Sequence, residues 1–307
     1  WSVSANLVNL SIGTSSVLQL SDIGLDVTKR IGQSNNANGI YDNVGGNVTA
    51  GKTINSTNLI NNASLATGSF FRIGTAPGMA PGSYAIGPKL SYSGYAGTYK
   101  KLSDAILAIS AVPITGNMIF EFQPDYIPSA ESYPINLYSN IVSSATATIT
   151  FRPAANVNTL INFSTSGTVI NNEGADYITF DGRNGGAGTN QYIQFTNSAV
   201  ANTPATVSLS KDALNNQFLY CILKGSTTTT GKGILTINTP SLGNNFYTID
   251  HCSFNGNGVA NNCLYTSGIA TDATITNNNF FDFSDGAGIN LSNGSNSAVI
   301  DNNSFYQ

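Results

Sequence analysis

Asp176, Asp181 and Arg183, in the stretch GADYITFDGRNGG, form the most distinctive polar group in the sequence. A guanidinium two residues from a carboxylate can pair with it, or with an acidic group on a ligand. The same residues also have a structural reading, because Asp181-Gly182 after an apolar run is a turn signal. Asp250 and Asp301 are a second candidate: they hold the same place in two copies of a repeated phrase, with Thr276 between them. Paired acids hydrolyse glycosidic bonds when about 5–9.5 Å apart, whereas acids two stacked strands apart stand at roughly 9–10 Å, the outer edge of that window. Exposed acids on a strand explain them equally well. Asp282 and Asp285 in FDFSDGAG can offer oxygen ligands to Ca²⁺, but they lack the dense spacing of an EF-hand loop. His251 is the only histidine, and no CxxC or HxxxH pattern supports a zinc site. It reads as a corner residue before it reads as a general base.

What must position these groups is a repeat. FLYCIL at 218–223, IDHCSF at 249–254, ITNNNF at 275–280 and IDNNSF at 300–305 are one phrase recurring at intervals of 31, 26 and 25 residues, the range of a solenoid. A second apolar phrase keeps step, at Val207–Leu209, Ile234–Ile237, Leu264–Thr266 and Ile289–Leu291. Two strand-like phrases per repeat, with Gly and Asn between them and no helical period, describe one coil of a parallel β-solenoid. Alternation breaks within the first phrase, as two strands meeting at a bend require, and Asn277 and Asn302 can take the left-handed conformation there. Cys221, Cys252, Asn278 and Asn303 share the next column and are expected to stack as a ladder. Phe254, Phe280 and Phe305 are expected to form an internal aromatic stack that Leu223 continues.

With 307 residues, 41% of them hydrophobic, the chain can bury a large core. Only 9% of residues are charged, against about 25% in ordinary soluble proteins; Gly, Asn, Ser and Thr cover the surface instead, as in secreted or surface-displayed β proteins. A net charge of −4 without a Lys/Arg cluster weighs against nucleic acid and anionic membranes as partners. No apolar run of about 20 residues exists to span a bilayer. The chain opens on Trp1 without a signal peptide, so a mature or trimmed form is expected. Three cysteines cannot all pair among themselves; Cys221 and Cys252 read as small buried hydrophobes, with a disulfide between neighbouring coils as the alternative.

Residues 1–90 lack the repeat and read as a small sandwich-like β module, immunoglobulin-like in spacing. APGMAPGSYAIGP, with three prolines and three glycines, marks the boundary. In YAGTYKKLSDAILAI, Leu102, Ala105, Ile106 and Ile109 recur at helical spacing, and Ser103-Asp104 stand where caps stand. Residues 91–307 are expected to form the parallel β-helix, with a helix near 101–111, directly upstream of the repeats, as its cap.

The ordered series GSYAIG, TYKKLSDAILAI, ITGNMIFEF, TITFRPA and GADYITFDGRNGGAGT resembles the right-handed parallel β-helix segments of large secreted Bacteroidetes surface proteins over about residues 82–307. The resemblance implies export by the type IX route and display on, or release from, the cell surface. It implies no single activity, because such segments occur in adhesin-like and multidomain proteins, and residues 1–307 do not themselves include the sorting domain of the long forms. The expected function is therefore adhesion or a structural scaffold that recognises glycans or surface proteins. Tyr192, Tyr220, Tyr247 and Tyr265 are the aromatics available for contact, with coverage of strand surfaces as the alternative reading. The rival reading is a β-helix polysaccharide lyase or glycoside hydrolase. Because the last repeat has no closing segment, the native chain is expected to continue past Gln307.

Overall fold

The computed structural model describes residues 79–200, 204–238, 245–267, 272–291 and 297–307, and before them only the backbone of short strands. Among those, Ser11–Ile12, Leu18–Ser21, Thr53–Asn55 and Asn47–Thr49 form one antiparallel sheet, and Asp42–Asn43, Lys29–Ser34 and Phe70–Thr75 form another. The sandwich-like packing expected for residues 1–90 depends on side chains that lie outside the described residues.

From Gly82 onward the chain is a parallel β-solenoid. Its first face runs in register through Gly82–Ile86, Met118–Phe122, Ile149–Pro153, Ile178–Asp181, Gln217–Leu219, Thr248–Asp250, Thr274–Thr276 and Val299–Asp301, with Thr98–Tyr99 at its edge. The coil thus takes in residues upstream of the boundary expected near 90. A second face carries Ile161–Thr165, Ile193–Asn197, Cys221–Lys224 and Ser304–Tyr306. A third carries Ile135–Tyr138, Ile170–Glu173, Val207–Ser210 and Leu235–Asn238. The long strands Ser253–Ser267 and Asn279–Leu291 bend through both of these faces.

Period-two alternation turns one side chain per strand centre inward, and parallel register stacks identical types on one another. On the first face Phe120, Phe151, Phe180 and Phe218 stack with ring centroids 5.3–5.6 Å apart. On the second, Phe163 stacks on Phe195 at 5.5 Å, Leu223 continues the column, and Phe254 stacks on Phe280 at 4.7 Å. Phe254 and Phe280 are fully buried, as expected. Phe305 stacks on Phe280 at 5.1 Å but is 49% exposed, because no described rung covers its other side.

From Leu219 onward each turn from first to second face passes through one left-handed residue: Tyr220, His251, Asn277 or Asn302, with φ of 52°, 54°, 58° and 51°. The residue after it points inward and closes the polar ladder read from the sequence. The Asn278 amide donates to the Ile249 carbonyl, 2.9 Å, and its oxygen accepts the Cys252 N–H, 2.7 Å. Asn303 repeats this with Ile275 and with the Asn278 N–H. Cys252 and Cys221 fill the same role with sulfur: their thiols face the Phe218 and Phe180 carbonyls at 3.3 and 3.5 Å, and Cys252 Sγ accepts the Cys221 N–H. All three cysteines are free and buried, and burial pushes the Cys221 thiol well above its ordinary pKa.

The expected helix forms at Leu102–Ala111, with Leu102, Ala105, Ile106 and Ile109 buried. Its N-terminus is not held by Ser103 or Asp104. The Glu131 carboxylate, only 8% exposed, accepts the Leu102 and Ser103 N–H groups, the Ser103 hydroxyl and the Tyr126 hydroxyl. A distant acid thus satisfies donors that a local cap would normally serve, and does so at the positive end of the helix dipole.

Truncating Phe254 to Ala removes a fully buried ring from the second-face stack and is expected to cost about 3–5 kcal/mol in chemical denaturation. A loss below about 1 kcal/mol, the range of surface substitutions, would show that the column does not carry the core.

Candidate functional site

The outward column beside the first corner collects three of the six acids that sequence reasoning selected, Asp181, Asp250 and Asp301. In register it reads Glu121, Arg152, Asp181, Leu219, Asp250, Thr276 and Asp301. Asp250 and Asp301 are therefore two rungs apart with Thr276 between them, as the phrase alignment predicts. Glu121 pairs with Arg152 at 2.7 Å and accepts the Tyr95 hydroxyl at 2.7 Å. This pair was missed in the sequence, although the aligned phrases MIFEF and TITFR place Glu and Arg at the same position after Phe.

Asp181 closes the strand Ile178–Asp181 and is almost fully buried. Both its oxygens engage Arg183, from Nε at 2.9 Å and Nη2 at 2.8 Å, and Oδ1 also accepts the Arg183 backbone N–H. That hydrogen-bonded pair holds the Arg183 pKa above its ordinary value. The turn between them requires Gly182, where a Cβ would lie 1.8 Å from the Tyr220 carbonyl oxygen. Asp176 does not join this group. It sits before the strand and accepts the Leu214 N–H at 2.7 Å, and burial raises its pKa.

Tyr220 and His251 occupy the next two rungs at the corner, and with Arg183 they form one stack. The Arg183 guanidinium lies 4.6 Å from the Tyr220 ring centre, and the Tyr220 and His251 rings are 4.5 Å apart and 12° from parallel. Tyr220 belongs to the middle rung, so its two faces are covered by a cation and an imidazole. The Asp250 carboxylate accepts His251 Nδ1 at 2.7 Å, the Thr276 hydroxyl at 2.7 Å and the Asn277 amide at 2.8 Å. Burial opposes charge on Asp250, but the Thr276, Asn277 and His251 contacts outweigh it and hold its pKa below the ordinary range. Asn302 extends the row by donating to Asn277 Oδ1 at 2.6 Å, and the Gln191 amide props the His251 carbonyl at 2.6 Å. His251 is a corner residue, as expected, and it is also an oriented one.

The other candidates stand apart. Asp282 is exposed at a left-handed position, φ 54°, and the Asp285 side chain lies outside the described residues. Among the described residues no group of three or more His, Cys, Asp or Glu is placed to hold a metal ion, and no helix is long and apolar enough to cross a membrane. Tyr247, counted among the aromatics available for contact, is 1% exposed and inside the coil; its rung neighbour Ala273 is small and leaves it the room. Tyr192 and Tyr265 are half-buried. Comparison of the chain with protein-family models, curated proteins and solved structures found no match.

Lowered acidity at Asp250 has a direct consequence for stability. A carboxyl whose folded pKa lies below its unfolded value near 4 contributes stability above that value and loses the contribution as pH falls through the folded one. Asp250→Asn is therefore expected to be less stable than wild type at about pH 7, with the gap narrowing towards about pH 2. A gap that stays constant in denaturation measured across that range would contradict the pairing.

Proposed function

We propose that this chain is an exported, surface-displayed or released solenoid that binds glycans or surface proteins, acting in adhesion or as a scaffold, and does not turn a substrate over. One observation carries the reading: acids in the outward column never occupy neighbouring rungs, and Glu121, Asp181 and Asp250 are each committed to partners within the chain. Hydrolysis by two acids needs one carboxyl to give a proton while the other attacks or activates water. Carboxylates already engaged by Arg, His, hydroxyl and amide donors are poorly prepared for either role. The outer faces instead offer in-register rows of hydroxyl and amide groups, including Thr150, Thr179, Gln217, Thr248 and Thr274 on the first face. Rigid rows of this kind suit extended ligands, since the scaffold pays little ordering entropy on binding.

Incubation with neutral and uronate-containing polysaccharides is expected to give saturable binding of at least one, without release of reducing or unsaturated ends. Turnover abolished by Asp181→Asn or Asp250→Asn would replace this reading with the enzymatic one.

A further inference from the structure

Three side-chain edges on the corner ridge remain uncommitted. Asp181 takes Nε and Nη2 of Arg183 and leaves Nη1. Asp250 takes Nδ1 of His251; an ionised carboxylate only accepts, so Nδ1 carries a hydrogen and Nε2 is left for a ligand. The Tyr220 hydroxyl between them has no hydrogen bond among the described residues. The Arg183 side chain is 25% exposed, that of His251 41%, and Tyr220 is half-buried, so all three side chains reach solvent.

Because the three stand on successive rungs and stack at 4.6 and 4.5 Å, their free edges form a row along the solenoid axis: a guanidinium donor, a hydroxyl that both donates and accepts, and an imidazole nitrogen. Stacking covers the ring faces, so the row cannot serve as a flat aromatic platform; a ligand meets polar tips at a fixed interval. An extended peptide advances about 3.3–3.4 Å per residue and falls out of step with the rungs. A linear glycan advances one sugar ring at a time, close to the rung spacing, and carries donor and acceptor oxygens on every ring. We propose that Arg183, Tyr220 and His251 form the contact row for a linear glycan lying along the solenoid axis, one sugar per rung. Gln191 is a positioning residue through its bond to the His251 carbonyl. This rests on the binding reading given above and names its ligand and place.

The chain supplies its own control. Asn277 and Asn302 fill the same left-handed corner two and three rungs along, so Tyr220→Asn and His251→Asn keep a residue suited to that backbone while removing the contact edges. Binding of linear neutral oligosaccharides and oligouronates is measured by calorimetry beside thermal unfolding. Each variant is expected to unfold at or near the wild-type temperature and to bind about tenfold more weakly, the value of one lost hydrogen bond. Wild-type binding matched by both variants would overturn the ridge and leave the scaffold reading standing. Variants that lose binding only because they unfold well below wild type would make the stack a structural device and overturn the proposal. A wild type that binds none of the linear glycans would remove both the ridge and glycan recognition.

Discussion

Each coil must turn its backbone at a corner without leaving buried hydrogen-bonding groups unpaired, and the solenoid depends on how that is done. From Tyr220 onward one left-handed residue makes the turn, and the next side chain reaches inward to join the backbones of successive rungs. A buried peptide group without a partner costs about 1–3 kcal/mol, so a missing member of this ladder would weaken the rungs on both sides. Cysteine serves where asparagine does because a thiol can also face a carbonyl while its sulfur accepts an N–H, though more weakly. With the ladder closed, parallel register places like on like, and the phenylalanine columns follow from it.

Much of this was legible in the sequence because the coils from Phe218 onward repeat the same two solutions. The phrase ending in Phe254, Phe280 and Phe305 gave the inward column, and Asn277-Asn278 and Asn302-Asn303 gave the corner and the ladder. Legibility failed where the repeat is interrupted or where a partner is distant. Between Asp181 and Ile193 the chain leaves the coil through a short Gly-rich excursion, which hides the alignment of ITFD with FLYCIL and with it the stacking of Arg183 on Tyr220. Glu131 caps a helix some 28 residues away, and no local pattern announces it. Tyr247 is hard to place from sequence because its column, Asn216, Tyr247 and Ala273, has no common residue type. Polarity does not mark it as inward; volume does, since a large ring lies over a small neighbour.

The same register that builds the core also arranges the exterior. A residue type placed once per coil becomes a row at rung spacing, and such a row meets a repeating ligand at several points together. At the corner this needs little adjustment of the fold, since the backbone bonds are made by the inward ladder and the left-handed residue is free to carry any tip its backbone tolerates. Tyr220 and His251 use that freedom, and their order is enforced by Asp181 through Arg183 on one side and by Asp250 on the other.

The most direct measurement is the NMR spectrum of the protein titrated with the linear oligosaccharide it binds best, read at the His251 and Tyr220 rings and the Gln191 amide. Shifts concentrated on these groups, saturating together while the Thr248 and Thr274 signals of the first face stay in place, are the result this account predicts. Saturable shifts confined to the first or third face, with His251 and Tyr220 unmoved, would contradict it.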